Sequence, residues 1–201
     1  DNQSYRGFIS DDQMFWLERD LAHVAEDKLI VIATHISLIS EASDGDPSHE
    51  ITGPYTDNFD QLLELLLPFS NVYGLAGHDT SNSWKVEINH EHGWTGRPWI
   101  AHTLAEVRGS GWTRGPKDLR GVADATMEDG NPNGFYLLKF DDVTLVPEFI
   151  PFPNGRDAAQ RLRIVLDPEL VDPSDSSINR GILRTDTKVV VNLFDGGERD
   201  S

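Results

Sequence analysis

Cysteine is absent from the 201 residues. Disulfides and thiolate ligands are thereby excluded, so any bound metal must take His, Asp, Asn or Glu donors, a set that suits Zn, Fe or Mn. Long apolar runs are absent too. The longest, Leu29 to Ala33, falls far short of the ~20 residues of a membrane span, so no helical span is expected. Basic charge is scarce: 17 Lys and Arg stand against 34 Asp and Glu, a formal net charge of -17. Such a field repels phosphate backbones, which argues against a nucleic-acid binding surface, and it favours cations. Also missing are the phosphate-cradling G-x-x-x-x-G-K-[ST], the nucleophile elbow G-x-S-x-G and the zinc helix H-E-x-x-H. The remaining composition, 38% hydrophobic and 25% charged, is that of a globular chain able to form one large core or two small ones.

The first 80 residues read as α/β layers. Residues 1–9 read as a loop, and Ser10 opens a helix. Gln13 lies at capping-box spacing from Ser10, and Asp11 and Asp12 suit the positive end of the helix dipole. Met14, Leu17, Leu21 and Val24 supply one apolar face. The β-branched run Leu29-Ile30-Val31-Ile32-Ala33 reads as a strand buried on both faces. Residues 40–58, rich in Ser, Asp, Gly and Pro, read as a surface loop. A second helix is expected over Phe59–Leu67, capped by Asp57 or Asn58 and stopped by Pro68. A second strand follows over Val72–Ala76.

Beyond residue 80 the texture turns to short strands and turns. Strands are expected over Trp84–Ile88, Trp99–Val107, Phe135–Phe140, Thr144–Ile150, Leu162–Leu166 and Lys188–Phe194. Asp141-Asp142 reads as a hairpin turn, and Pro151 to Gly155 as a boundary. Trp112, Arg114, Pro116 and Asp118 form a polar-aromatic cluster that either lines a pocket or fixes a loop. No internal repeat or low-complexity tract is visible.

Two histidines share one setting. His35 follows the first buried strand, and His78 follows the second after Gly77. Ligands of open α/β sheets sit outside the C-terminal strand edges, so these imidazoles are placed to hold one metal ion, with Gly77 allowing a sharp backbone turn. The alternative is a pair of satisfied structural histidines. His102, within a strand, is a further candidate for the same edge. His90 and His92 form H-x-H in a turn, His23 reads as a surface residue of the first helix, and His49 lies in the Ser/Asp/Gly loop.

Several stretches resemble the calcineurin-like metallophosphoesterases. Gln13-Met-Phe-Trp-Leu-Glu-Arg-Asp-Leu21 is similar to that family's Q-x-x-W-L-x-x-x-L helix. Leu29 to His35 is similar to its strand ending in a metal-binding His, and Gly74-Leu-Ala-Gly-His78 to the start of its G-H-x-H motif. Gly109 to Asp118 and Asp129 to Tyr136 are similar to the subgroup with a β-rich C-terminal domain, whose members are often exported. The resemblance implies a partial two-sheet sandwich over residues 1–150, the C-terminal half of a catalytic domain, and a β-rich domain over 151–201. It implies divalent ions, one or two, with His35 and His78 on the same ion. It also implies hydrolysis of phosphomonoesters or phosphodiesters by a metal-activated hydroxide in the complete protein.

Two departures qualify that expectation. The family's D-x-H, G-D and G-N-H motifs do not occur here, so the missing N-terminal half is an expected partner and this chain alone is expected to be inactive. Thr80 stands where the family places the second His, with Asp79 as the alternative donor. The competing expectation is a catalytically impaired binding or structural module.

Overall fold

The computed structural model describes residues 6–42, 51–78, 83–105, 113–117, 123–127, 129–152, 159–167 and 188–195. Helix α1 spans Asp11–Leu21. The capping box forms as its spacing requires: Ser10 Oγ accepts from Gln13 N at 3.3 Å, and Gln13 Oε1 accepts from Ser10 N at 3.0 Å. Two of the first-turn amides that a helix leaves unpaired are thereby satisfied. Strand β1 covers Leu29–Ala33, as the β-branched run predicts, but only Ile30 is buried, so the expected burial on both faces is not met among the described residues.

The tract expected to be a loop holds a hairpin instead. Strand β2 (Ile39–Ala42) pairs antiparallel with β3 (Ile51–Pro54). The Ser, Asp and Gly residues that suggested a loop fall between them, and 43–50 lie outside the described residues. Helix α2 spans Phe59–Leu66 behind the N-cap residue Asn58. The Asn58 side chain makes no cap. It closes a two-bond clasp on Ile9, accepting from Ile9 N at 3.0 Å and donating to Ile9 O at 2.7 Å. That clasp anchors the segment before α1.

Strand β4 (Asn71–Ala76) lies parallel to β1 and to β6 (Trp99–Thr103), and β5 (Trp84–Ile88) lies antiparallel to β6. The four form one sheet in the order β1-β4-β6-β5, with β1 at an edge. The expected Trp99–Val107 strand thus stops at Thr103. A 3-10 turn over His90–His92 occupies the H-x-H segment.

The two faces of this sheet differ. Ile30, Val72, Ala101, Val86, Ile88 and Trp99 project from one face into a single cluster with Leu21 of α1 and Phe59, Leu62, Leu63 and Leu66 of α2. The alternation of side chains along each strand sends Leu29, Val31, Ala33, Tyr73, Leu75, Ile100 and His102 to the other face. Tyr73 and His102 are bonded there, as described below. Leu29, Val31, Leu75 and Ile100 stay half-buried and Ala33 exposed, and none belongs to either buried apolar cluster of the described residues.

Three further antiparallel pairs follow: β7 (Thr113–Lys117) with β8 (Ala123–Thr126), β9 (Gly134–Asp141) with β10 (Thr144–Pro151), and β11 (Leu162–Asp167) with β12 (Lys188–Leu193). The β7–β8 pair was not expected. Arg114 and Pro116 of the polar-aromatic cluster lie in β7, whereas Trp112 and Asp118 lie outside the described residues. The β9–β10 turn falls one residue later than expected, at Asp142-Val143, because Asp141 is still paired with Thr144; Asp142 takes φ 50. A small second core of Ala105, Met127, Phe149 and Phe194, with Tyr136 against it, ties the C-terminal strands to the end of β6. No helix of the described residues is long and apolar enough to cross a membrane.

Candidate functional site

Strands β1 and β4 run parallel, so their C-terminal ends emerge side by side. Thr34 N donates to Leu75 O at 3.0 Å and Gly77 N to His35 O at 3.1 Å, which extends the ladder past both strands. His35 and His78 therefore leave the sheet as neighbours. His78 Nδ1 lies 3.1 Å from His35 Nε2, and the rings meet edge to face with centroids 5.0 Å apart. His35 is exposed and His78 half-buried, so the pair opens to solvent.

The sharp turn expected at Gly77 falls one residue later. Gly77 keeps an ordinary φ, and His78 takes the left-handed conformation at φ 70. That conformation costs a side-chain-bearing residue about 1–2 kcal/mol. It turns the chain so that Nδ1, the ring nitrogen nearer the backbone, faces His35. Strain of this kind gathers where the surroundings force a functional geometry.

The spacing of the two nitrogens is one that two imidazoles sharing a cation would have. Two imidazole nitrogens about 2.0–2.1 Å from a common ion lie about 3.3 Å apart at a tetrahedral angle and about 2.9 Å apart at a right angle. The observed 3.1 Å falls between. The same spacing lets one proton bridge the rings as a hydrogen bond, so a proton and a metal ion compete for one position. Among the described residues no group of three or more His, Asp and Glu is assembled. Asp79 and Thr80, the other expected donors at this edge, lie outside the described residues, as does His49.

His102 does not join the pair. It projects from the sheet face away from the main apolar cluster and is 1% exposed. Its Nε2 is 2.9 Å from Asp195 Oδ1 and its Nδ1 3.3 Å from the Tyr73 hydroxyl. With both nitrogens engaged, the expected role as an additional ligand is replaced by a place in a buried network. Asp195 also accepts from the Tyr136 hydroxyl at 2.6 Å, pairs with Lys85 Nζ at 2.9 Å, and is held through its own N–H by Asn131 Oδ1 at 2.7 Å. Burial, reinforced by the Asp195 charge, raises the pKa of both Tyr73 and Tyr136, so both phenols stay protonated and can donate. When its ring is neutral, the Nε2–H tautomer of His102 satisfies both of its bonds: Nε2 donates to the carboxylate and Nδ1 accepts from Tyr73.

Sequence reasoning missed this network. His102 and Asp195 are 93 positions apart, and Asp195 reads as one of several acidic residues near the chain end. His90 is exposed and His92 half-buried, with His92 Nδ1 accepting from Asn89 N inside its own turn at 3.3 Å. His23 is exposed, as expected, but lies just past α1 rather than on it.

Comparison with protein families, curated proteins and solved structures returned no match.

Proposed function

We propose that the chain supplies part of the metal centre of a phosphoesterase, with His35 Nε2 and His78 Nδ1 as ligands of one divalent ion. The 3.1 Å approach of those nitrogens at the ends of neighbouring parallel strands carries this reading. It agrees with the resemblance to calcineurin-like metallophosphoesterases drawn from the residues alone. A Mn, Fe or Zn ion held there supplies positive charge for phosphoryl oxygens and acidifies water toward hydroxide. The chain's own contribution is to present the two imidazoles in fixed orientation. His35 is carried on a loop stitched to β4, and His78 on a left-handed turn.

Two imidazoles make a partial coordination sphere. A catalytic zinc site commonly takes three protein ligands, so the reading requires donors beyond the described residues, Asp79 and Thr80 among the candidates. On the face away from the main apolar cluster, Leu29, Val31, Leu75 and Ile100 are half-buried and Ala33 is exposed, while Tyr136 and Asp195 cover His102. Edge strand β1 carries no charge or proline that would block pairing. Further donors and any cover for that edge would come from outside the described residues.

The test is a titration of the metal-free chain with Zn or Mn, followed by turnover of a chromogenic phosphodiester and a phosphomonoester. Tight binding by the parent and weak binding by His35→Ala and His78→Ala is the expected result. Equal binding by all three removes the assigned roles. Turnover is expected to be small for this chain alone, because loss of part of a cooperative site is costly.

A further inference from the structure

Behind the histidine pair lies a buried hydroxyl relay that the metal reading does not use. Ser37 and Thr103 are each 2% exposed. Their hydroxyl oxygens are 2.8 Å apart, and Ser37 Oγ is 3.4 Å from Gly77 O. Each hydroxyl has one proton to give. The order that satisfies all three groups is Thr103 O–H to Ser37 Oγ, and Ser37 O–H to the Gly77 carbonyl.

That carbonyl belongs to the peptide joining Gly77 to His78. Holding its oxygen fixes the peptide plane from which His78 enters its left-handed turn, and hence the direction of the imidazole. Ser37 lies two residues after His35, and its own carbonyl accepts from Thr56 Oγ1 at 3.2 Å. Thr103 ends β6 beside Ala76 of β4. The relay therefore clamps together the His35 loop, the His78 turn and a third strand.

We propose that Ser37 and Thr103 are positioning residues for the His35–His78 pair, setting the His78 turn so that both ring nitrogens meet one cation. This rests on the metal reading above. Loss of groups that orient a ligand commonly lowers metal affinity about 10- to 100-fold, and a loss of that size is expected for Ser37→Ala and Thr103→Val. Ser37→Thr and Thr103→Ser, which keep the hydroxyl, are expected to bind as the parent does.

The experiment titrates the full chain with Co(II), reading affinity and the visible ligand-field spectrum, and records ring-to-ring nuclear Overhauser contacts between His35 and His78 without metal. Support consists of weakened binding and an altered Co(II) spectrum in Ser37→Ala, loss of the ring contact, and recovery in Ser37→Thr. In a His35→Ala background, Ser37→Ala should cost far less affinity, which a general loss of stability would not produce. Parent-like affinity and an intact ring contact in both Ser37→Ala and Thr103→Val overturn the proposal. If the parent binds no Co(II), the metal reading fails, while the ring contact still judges the positioning claim. If Ser37→Ala does not fold, Thr103→Val supplies the same comparison.

Discussion

Replacing Asp195 by Ala should be among the most damaging single changes to stability. Its carboxylate takes the His102 Nε2–H and the Tyr136 hydroxyl on Oδ1, and Lys85 Nζ on Oδ2. Removing it strands two buried donors, at about 1–3 kcal/mol each. The Lys85 side chain is 27% exposed and regains water, so its share is discounted. The sum, about 2–6 kcal/mol, brackets the roughly 3–5 kcal/mol usual for breaking a buried ion pair. For a chain of this size it lowers the thermal midpoint by on the order of 10 °C. Denaturant unfolding followed by tryptophan fluorescence measures it. Asp195→Asn keeps an oxygen at Oδ1 for both buried donors and loses only the Lys85 acceptor at Oδ2, so it should lose less. The pH dependence has a definite sign. Burial pushes the Asp195 carboxyl up, but the hydrogen bond and charge of His102, the Tyr136 hydrogen bond and Lys85 more than offset this, leaving it below its ordinary 3.8. Such a group adds stability that is present above pH 3.8 and lost as pH falls through the lower folded-state value. The gap between parent and Asp195→Asn should therefore be full near neutrality and close in strong acid. A loss below about 1 kcal/mol for Asp195→Ala would refute the reasoning, since buried donors cannot be stranded so cheaply.

Further expectations are local. His78→Gly relieves the left-handed strain, so folding stability should hold or rise by up to about 1 kcal/mol while metal binding is lost; calorimetry and metal titration on one sample check both. Gly134→Ala places a Cβ 2.5 Å from Phe149 Cζ and 2.6 Å from Ile150 O. Backbone cannot yield there, so a loss of about 1–3 kcal/mol is expected in chemical denaturation. Ser10→Ala removes the α1 cap and should cost about 1 kcal/mol, visible as faster hydrogen exchange in the first turn of α1.

Local signals in the sequence were read well where one element decided the outcome. The Ser10–Gln13 box, the β-branched run of β1 and the amphipathic Phe59–Leu66 helix each carry their cause within a few residues. The β2–β3 hairpin was missed because the polar residues between its strands dominated the tract. At the site, the juxtaposition of His35 and His78 was legible because parallel neighbours must deliver their following residues to one edge. The side of the sheet that His102 faces was not, since a one-residue change of phase reverses a strand's side chains and its partner Asp195 comes from a distant hairpin. The turn at His78 was assigned to Gly77 because glycine adopts a positive φ most easily, and here the neighbour took it.

The central claim is that one cation joins His35 and His78 through particular nitrogens. Long-range 1H–15N spectra of the imidazoles during a zinc titration read each nitrogen separately. The account predicts that His35 Nε2 and His78 Nδ1 shift together and saturate at one equivalent, with His102 unmoved. Shifts at the opposite nitrogens, independent saturation of the two rings, or no shift at either would contradict it.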